Sequence, residues 1–255
     1  MGQWEIITGD CLEVMRGMDP PNGGFHVVTD PPYGEHVHSK PWQSKMLAEN
    51  GDARAASDHA GIDFDPITEE VARGAALLWA TRGVRWCLVF ADLEGINLWR
   101  ASLGGAGLDY VRTCIWDKVD SSPQFTGDRP ASACEAIVCS HPPGRKRWNG
   151  GGRRNLFSYA VNAERGSKPH PTTKPLPLMC ELVGLFTQPG DLVLDPFCGS
   201  GTTGVACLRL GRRFIGIEKD PKYADLARER LRAEENGSTL KATRAGQVPL
   251  FGGSK

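Results

Sequence analysis

The feature that most constrains the fold of this chain is a glycine-rich turn within residues 193–220. The segment reads VLDPFCGSGTTGVACLRLGRRFIGIEKD: an apolar strand, a turn containing Gly199, Gly201 and Gly204, a helical stretch and a second strand that ends at Glu218. Glycine lets a backbone turn sharply and come close to a ligand. A strand that passes through such a turn into a helix, and then into a further strand, predicts an α/β fold with a parallel sheet.

The rest of the chain continues this alternation. Apolar runs predict strands at residues 4–8, 25–29, 87–91, 110–116, 136–139, 192–194 and 214–217. Helical spacing of apolar residues predicts helices after Asp10 and over residues 67–80, 93–103, 175–186, 202–210 and 221–235. We therefore expect one domain over residues 1–235, with an irregular inserted segment at 120–168 and a tail at 236–255.

Composition excludes collagen-like, mucin-like and disordered chains. Hydrophobic residues make up 40% of the chain and charged residues 24%, which is enough apolar surface for a core and too little charge for wholesale disorder. The first residues show no basic segment followed by a long apolar stretch, and the most apolar run is interrupted by Arg82 and Arg85. We expect a soluble, unsecreted, cytoplasmic protein.

Cysteine and histidine usage predicts neither a disulfide framework nor a metal site. The eight cysteines contain no C-x-x-C pair, and several lie in apolar runs, where a reduced thiol acts as a small hydrophobe. The close pair His36 and His38 lies in a polar stretch at residues 35–65 and is predicted to be solvated. That stretch has no sustained period and reads as a long loop, suited to a lid or a dimer contact.

Basic charge is concentrated in one segment, although the net charge of the chain is zero. The core of this segment, GRKRWNGGGRR, surrounds Trp148 and three glycines with cations, which suits a mobile loop that follows phosphates. A solvated surface loop explains the same composition equally well. The cations are Arg145, Lys146, Arg147, Arg153 and Arg154.

The glycine-rich turn predicts a nucleotide-cofactor site. Its Gly-x-Gly-x-x-Gly spacing also satisfies the dinucleotide fingerprint, so an NAD-dependent oxidoreductase has to be considered. Asp195, at the end of the strand before the turn, would repel a pyrophosphate but tolerates a ligand that carries ammonium and sulfonium groups. S-adenosylmethionine fits this description, with its aminoacyl end near Asp195 and its ribose at Glu218.

A second motif, TDPPYG at residues 29–34, follows the strand at 25–29. An enzyme that methylates an exocyclic amine of a base has to draw the nitrogen lone pair out of conjugation, so acceptors must grip both amino hydrogens. The Asp30 carboxylate and the Pro31 carbonyl can do this, while Tyr33 offers a face on which the base stacks. Taken alone, the motif is also compatible with a proline-rich turn at a strand end.

Taken together, these motifs resemble those of the DNA amino-methyltransferase family, which comprises adenine-N6 and cytosine-N4 enzymes. The similarity is to the beta class, in which the DPPY motif precedes the cofactor motif. It spans TGDCLEVM, TDPPYG, WDK, EAIVCSH, HPTTKPLPLMCELV, VLDPFCGSGTTG and FIGIEKD, in that order. The resemblance implies a Rossmann-like S-adenosylmethionine-dependent methyltransferase fold, with seven strands, the last antiparallel, in a circularly permuted motif order. The inserted segment at 120–168 would then recognise DNA.

The resemblance also implies roles for individual residues. The catalytic clamp would be Asp30, Pro31, Pro32 and Tyr33. The cofactor would contact Asp10 and Cys11 at the adenine ring and Glu218 at the ribose. Its methionine part would be surrounded by Asp195, Phe197, Cys198, Gly199, Ser200 and Gly201, with Lys174 closing the pocket. The other residues assigned to the cofactor site are Asp30, Pro196, Thr202 and Lys219. DNA would be bound by Lys118, Arg145, Lys146, Arg147, Arg153 and Arg154.

The implied reaction is methyl transfer to the N6 amine of adenine in double-stranded DNA, by base flipping and direct transfer without a covalent enzyme intermediate. An aspartate before PPY resembles the adenine enzymes more than the cytosine-N4 enzymes, which remain an alternative. A DNA-binding module that keeps the methyltransferase fold but has no methyltransferase activity also remains an alternative. The expected protein is nucleoid-associated and able to form a homodimer.

The tail suggests one further partner. Gln247, Leu250 and Phe251 resemble the anchors of the short peptide with which bacterial replication proteins dock on the sliding clamp. An apolar tail that packs on its own domain explains the same residues.

Overall fold

The secondary structure alternates strands and helices, as the sequence predicts. The computed structural model describes residues 2–34, 65–123, 127–161 and 173–238. The strands are β1 (Trp4–Thr8), β2 (Phe25–Thr29), β3 (Val84–Ala91), β4 (Asp109–Asp117), β5 (Cys134–His141), β6 (Leu156–Ser158), β7 (Leu192–Asp195) and β8 (Arg213–Glu218). The helices are α1 (Cys11–Gly17), α2 (Glu69–Thr81), α3 (Ile96–Gly105), α4 (Leu176–Phe186), α5 (Thr202–Arg209) and α6 (Pro221–Glu235).

The strands form one mostly parallel sheet in the order β1-β8-β7-β2-β3-β5-β4-β6. Among the described residues, β5 alone runs antiparallel, to both β3 and β4, because a hairpin-type connection returns the chain after β4. The sheet has eight strands rather than the seven expected. The additional strand is β6, three residues that pair in parallel with Ile115–Asp117 inside the segment predicted to be irregular.

The parallel strands place the two predicted motifs at one edge of the sheet. β1, β8, β7 and β2 are neighbours with the same direction, so the residues that follow them emerge together at their carboxyl ends. Asp10, Asp30, Asp195 and Glu218 therefore lie along one edge, which we call the carboxyl edge. This edge is the usual position of ligand sites in open α/β sheets.

Helices cover both faces of the sheet and complete a three-layer structure. Helices α4, α5 and α6 pack on the face that includes Val28 and Leu88, whereas α1, α2 and α3 pack on the face that includes Val27. All five residues of β2 are buried, as expected for a central strand with both faces covered. Within the second layer Trp79 and Trp99 stack with ring centroids 5.8 Å apart.

Local capping explains where helices begin. The sequence predicts a helix over residues 67–80, and α2 instead starts at Glu69 because the Thr68 hydroxyl accepts a hydrogen bond from the Val71 N–H at 3.3 Å. Helix α6 has the predicted bounds, with Asp220 as N-cap and a proline in its first turn. Within the described ranges, no helix combines the length and apolarity needed to cross a bilayer.

Some predictions concern residues that the structure does not describe. These are the loop at 35–64, residues 162–168 of the inserted segment, and the tail from 239 onward with Gln247, Leu250 and Phe251. Across the described ranges, no group of three or more histidine, cysteine, aspartate or glutamate side chains is arranged to hold a metal ion.

Candidate active site

The predicted clamp begins at the carboxyl end of β2. Asp30 is the first residue after the strand, and its Oδ2 lies 2.5 Å from the Lys174 Nζ. Its second oxygen, Oδ1, is buried and has no hydrogen-bond partner among the residues that the structure describes. An unsatisfied buried acceptor of this kind costs about 1–3 kcal/mol. Asp30 therefore holds one oxygen in an ion pair and keeps the other for a donor from outside the protein.

A second carboxylate, Glu135, joins the clamp from the start of β5. Its Oε2 lies 3.1 Å from the Lys174 Nζ and accepts a hydrogen bond of 2.6 Å from the Tyr33 hydroxyl. Its Oε1 lies 2.6 Å from the Lys118 Nζ. Lys174 also donates to the Tyr33 hydroxyl at 3.3 Å. These five side chains, with two carboxylates, two ammonium groups and one phenol, form what we call the clamp cluster.

The pKa values of the clamp cluster are set by burial and by the opposed charges. Burial raises the pKa of Asp30, Lys174 lowers it and Glu135 raises it, and the result lies above the ordinary value. Burial also raises the pKa of Glu135, but Lys174 and Lys118 outweigh burial and bring this pKa down to about 2. Burial lowers the pKa of Lys174, and Asp30 and Glu135 together raise it by more. As pH falls, Asp30 is therefore protonated before Glu135.

Aromatic rings surround the ammonium group of Lys174. Its Nζ lies 5.2 Å from the centroid of Phe90, 5.4 Å from that of Tyr33 and 5.9 Å from that of Trp116. Phe90 and Trp116 are buried in the sheet on the β3 side of β2 and contribute to one apolar core. A cation between ring faces is favoured electrostatically. The three rings thus stabilise the Lys174 ammonium at its position beside the carboxylates of Asp30 and Glu135.

The glycine-rich turn joins β7 to α5 as predicted. Gly199 and Gly201 have positive φ angles of 53° and 81°, which glycine adopts without strain. A Cβ at Gly201 would come within 3.0 Å of Ala227, and a Cβ at Gly204 within 2.6 Å of Phe214. Beside Gly199, by contrast, no atom lies within 4 Å of that position. Two glycines therefore allow close packing, and Gly199 leaves open space where a ligand can approach the backbone.

Asp195 lies beneath the turn rather than facing the open space. It is 2% exposed, and its oxygens accept hydrogen bonds from the Thr29 hydroxyl and the Thr203 hydroxyl, each at 2.6 Å, and from the Phe197 N–H at 3.2 Å. Burial raises its pKa to about 6, although these hydrogen bonds lower it. The predicted approach of a ligand ammonium to Asp195 stays a prediction. Its visible contacts tie the turn to β2 and α5.

Glu218 and Asp10 close the other side of the crevice. The Glu218 carboxylate accepts hydrogen bonds from the Gly199 N–H at 2.7 Å and the Asp220 N–H at 2.9 Å. Burial raises its pKa. Asp10 caps α1 by accepting from the Leu12 N–H at 2.9 Å. Thr8, near Asp10, pairs with Glu218 at the ends of β1 and β8, so the two acids lie on the same side of Gly199. A ribose and the base joined to it could therefore contact both acids.

The remaining residues predicted to bind the cofactor differ in accessibility. Cys198 is buried, and Gly216 makes room for it, since a Cβ there would lie 2.6 Å from the Cys198 Sγ. Ser200 and Thr202 are buried and accept hydrogen bonds from the Arg230 guanidinium at 2.9 Å and 3.0 Å. These three side chains support the turn. Cys11 and Pro196 are also buried, Phe197 is half-buried, and Lys219 is exposed.

Residues predicted to bind DNA lie in two different places. Lys118 belongs to the clamp cluster, where it is paired with Glu135 and only 20% exposed. Arg147 lies beside the start of β3, because the Trp86 indole N–H donates to its carbonyl at 2.6 Å. Trp86 precedes Phe90 by four residues, so this point lies about 13 Å down the strand from the level of the clamp. Tertiary structure thus places Arg147 away from the carboxyl edge, whereas Arg153 lies over the Phe157 ring at 5.6 Å, in the strand that pairs with Ile115–Asp117.

The basic segment is anchored rather than loose. Trp148 packs edge-on against Phe186 at a centroid distance of 4.8 Å, and the Asn149 amide donates to the carbonyls of Gly184 and Thr187. Arg153 forms an ion pair with Glu181 of α4. The backbone therefore presents its cations on the side of the molecule that carries the end of α4. Arg145, Arg147 and Arg154 are exposed and Lys146 is half-buried.

Sequence reasoning assigned no individual role to several residues of the site. Glu135 was included only within the motif EAIVCSH, although an acid that opens an otherwise buried strand is a signal for a function at the strand end. Thr29, Thr203 and Arg230 gave no such signal. Their roles depend on partners far along the chain, such as Asp195 for Thr29 and Ser200 for Arg230.

Comparison with known proteins agrees with this geometry. A family model described as "DNA methylase", that of the N6 and N4 methyltransferases, matches residues 25–229. The chain therefore belongs to the N6/N4 DNA methyltransferase family, whose members depend on S-adenosylmethionine. The α/β fold with a permuted motif order, expected from the sequence, is confirmed.

Individual relatives extend the similarity over most of the chain. It is 28% identical over 254 residues to the type II methyltransferase M.HinfI of Haemophilus influenzae, covering 89% of this chain and 68% of that protein. It is 36% identical over 165 residues to the type II methyltransferase M.XycI of Xanthomonas campestris pv. cyanopsidis, covering 60% of this chain and 51% of that protein. The chain thus spans about two thirds and about half of these relatives.

A solved structure shows the same fold. The DNA modification methylase TTHA0409 of Thermus thermophilus, complexed with S-adenosyl-L-methionine, superposes with a TM-score of 0.59 at 25% identity. The match covers 92% of this chain and 97% of that one.

Proposed function

We propose that this protein transfers a methyl group from S-adenosylmethionine to the N6 amine of an adenine rotated out of duplex DNA. The observation that carries the proposal is the unpaired Oδ1 of Asp30, a buried acceptor next to an oxygen already held by Lys174. An exocyclic amine supplies the missing donor. It carries two hydrogens, and the Pro31 carbonyl on the adjacent residue accepts the second.

The side chains of the clamp cluster prepare this acceptor. Lys174 opposes the effect of burial on the pKa of Asp30 and so favours the carboxylate form that polarises the amine, although burial remains the larger influence. Tyr33, with its hydroxyl held by Glu135, presents a ring on which a flipped base stacks. When the amine nitrogen forms its bond to the methyl carbon, it loses one proton, and Asp30 is the nearest acceptor on the protein.

S-adenosylmethionine fits the residues around the glycine-rich turn. The open space at Gly199 leaves room for the cofactor beside the protein backbone. Glu218 and Asp10 lie on the side that suits the ribose and the adenine ring. Asp195, buried beneath the turn, contributes negative charge. The cofactor supplies a methyl group bonded to a positively charged sulfur, which leaves with the bonding electron pair. Because the amine attacks this carbon directly, no nucleophilic cysteine is needed, in agreement with the burial of Cys198.

Cytosine-N4 methylation is the second candidate. The family includes enzymes of both types, and the same clamp can accept hydrogens from either amine. The aspartate of the DPPY motif favours adenine by resemblance. A nicotinamide-dependent oxidoreductase is no longer a candidate, because the chain belongs to a methyltransferase family.

We further propose that the basic segment contacts DNA phosphates through Arg145, Lys146 and Arg147. Because these residues lie well below the carboxyl edge, they would bind a part of the duplex away from the flipped base. Such contacts add affinity without reading sequence.

A direct experiment tests the function and the target base together. The protein is expressed in a host whose DNA carries no methylation, and the host DNA is sequenced by a method that detects modified bases. We expect N6-methyladenine at a short recurrent sequence. N4-methylcytosine would support the second candidate, and unmodified DNA from a host that contains soluble protein would contradict both.

A further inference from the structure

The clamp cluster contains a second carboxylate, Glu135, that does not touch the target amine in the proposed reaction. Glu135 is 8% exposed, is the second residue of β5, and belongs to the strand that runs antiparallel to its neighbours. Because Ala136 pairs with Ala91 at the end of β3, Glu135 extends just beyond the carboxyl edge. A carboxylate in this position is buried at a cost that only specific partners can offset.

Its partners are all groups of the clamp cluster. The two oxygens of Glu135 contact the Lys118 Nζ at 2.6 Å, the Tyr33 hydroxyl at 2.6 Å and the Lys174 Nζ at 3.1 Å. None of these contacts is to a neighbour in sequence. Glu135 thereby connects β4, β5, the turn after β2 and the start of α4 at a single point.

The charges show what depends on Glu135. With it, two ammonium groups face two carboxylates, and Lys174 lies between Asp30 and Glu135. Without it, Lys118 loses its partner, the Tyr33 hydroxyl loses its acceptor, and Lys174 retains only Asp30. The ammonium would then be free to shift toward the oxygen of Asp30 that the amine is to occupy.

We propose that Glu135 is a positioning residue for methyl transfer: it holds the Lys174 ammonium on one oxygen of Asp30 and orients the Tyr33 ring, so that Oδ1 stays available to the target amine. This inference rests on the proposed function. It differs from a purely structural ion pair, whose loss would lower stability without lowering the kcat of the protein that remains folded.

The kcat of the folded variants separates these two cases, and the acid limb of the rate profile reports the charge of Glu135 at Asp30. The charged groups that face Asp30 are Lys174, Glu135 and, from β7, Asp195, with Tyr33 as the neighbouring phenol. The negative charge of Glu135 raises the pKa of Asp30. In Glu135→Gln this effect is removed, so the acid limb of kcat moves to lower pH. The glutamine still offers an oxygen to the Tyr33 hydroxyl.

The experiment measures methyl transfer from radioactive S-adenosylmethionine to duplex DNA across pH for four proteins: wild type, Glu135→Gln, Glu135→Asp and Glu181→Gln. Glu181 is a matched control, because it too accepts from a tyrosine hydroxyl, that of Tyr159 at 2.8 Å, and pairs with an arginine, but lies along α4 away from the clamp. For Glu135→Gln we expect kcat to fall about 100-fold, as for a displaced catalytic group, with a small change in KM for the cofactor.

Glu135→Asp keeps the charge but withdraws it by one methylene. We expect its kcat to fall while the acid limb stays at the wild-type position, and Glu181→Gln to match wild type in both respects. A soluble Glu135→Gln protein with unchanged kcat and unchanged acid limb would overturn the role of Glu135 alone. If Glu135→Gln does not fold, a wild-type kcat in Glu135→Asp would overturn it equally. A wild type that methylates no DNA would instead overturn the proposed function.

Discussion

Lys174 Nζ and Asp30 Oδ2 are 2.5 Å apart, although 144 residues separate them in the chain. Lys174 immediately precedes the cap of α4, a helix in the cofactor half of the molecule, and Asp30 follows the central strand of the catalytic half. The pair therefore connects the DPPY turn to the segment that leads into α4.

Removing the carboxylate of Asp30 should abolish catalysis without preventing cofactor binding. In Asp30→Ala the target amine loses an acceptor for one of its hydrogens, and we expect methyl transfer to fall by at least about 100-fold. Binding of S-adenosylmethionine, followed by calorimetry, should persist because the glycine-rich turn is untouched. Asp225→Ala, which removes an exposed carboxylate of α6, is the control. Full activity of Asp30→Ala would contradict the clamp.

Asp195 should make folding stability depend on pH. Its folded-state pKa is raised from 3.8 to about 6, so the folded protein binds this proton more tightly than the unfolded chain does. The corresponding stabilisation is complete below about pH 4 and is lost as pH rises through about 6, and it amounts to about 3 kcal/mol. In Asp195→Asn this component disappears. Denaturant unfolding of both proteins across this range measures the difference, and parallel pH profiles would refute the prediction.

The glycines of the turn should respond differently to alanine. Gly204→Ala places a Cβ against the Phe214 ring, and we expect a loss of about 1–3 kcal/mol of folding stability from overpacking. Gly199→Ala meets no atom but adopts a positive φ and fills the open space. It should cost about 1–2 kcal/mol of stability and weaken S-adenosylmethionine binding markedly. Thermal unfolding and calorimetry distinguish the two effects, and equal cofactor affinity for Gly199→Ala and wild type would place the cofactor elsewhere.

The basic segment should contribute salt-dependent DNA affinity. Replacing Arg145, Lys146 and Arg147 with serine removes three cations, so the slope of log affinity against log salt should decrease in magnitude by about 2.7 if all three contact phosphates. The rate at saturating DNA should not change, because these residues lie away from the clamp. The control replaces three exposed arginines of helices α1, α3 and α6 with serine, which gives the same change in net charge. These arginines are Arg16, Arg100 and Arg232. Identical slopes for both variants would remove the segment from the DNA interface.

Much of the site was accessible from the sequence because its motifs are local. The DPPY turn at Asp30 and the turn at Gly199 are each built by consecutive residues at a strand end, and short-range backbone chemistry specifies them. The family resemblance added that the two turns share one crevice. The N-cap of α6 at Asp220 likewise follows from the residues beside it, whereas the prediction for α2 missed its N-cap at Thr68.

Other features depended on contacts between remote segments. The three-residue strand β6 has no sequence signal of its own and exists because β4 offers it a pairing edge. Lys118 was predicted to bind phosphate, but the pairing of β4 with β5 places it on Glu135. Asp195 accepts hydrogen bonds from the Thr29 and Thr203 hydroxyls, partners that no local sequence pattern signals.

By itself, the sequence determined the fold class and the family, and it marked the turns at Asp30 and Gly199 as the candidate site, since each is written in a run of adjacent residues. Tertiary structure alone decided which charges meet: the shared position of Lys174 between Asp30 and Glu135, and the place of Arg147 beside the start of β3. The physical reason is that ion pairs and burial depend on distances between residues far apart in the chain, 39 positions for Lys174 and Glu135 and 144 for Lys174 and Asp30, which sheet order and helix packing set together.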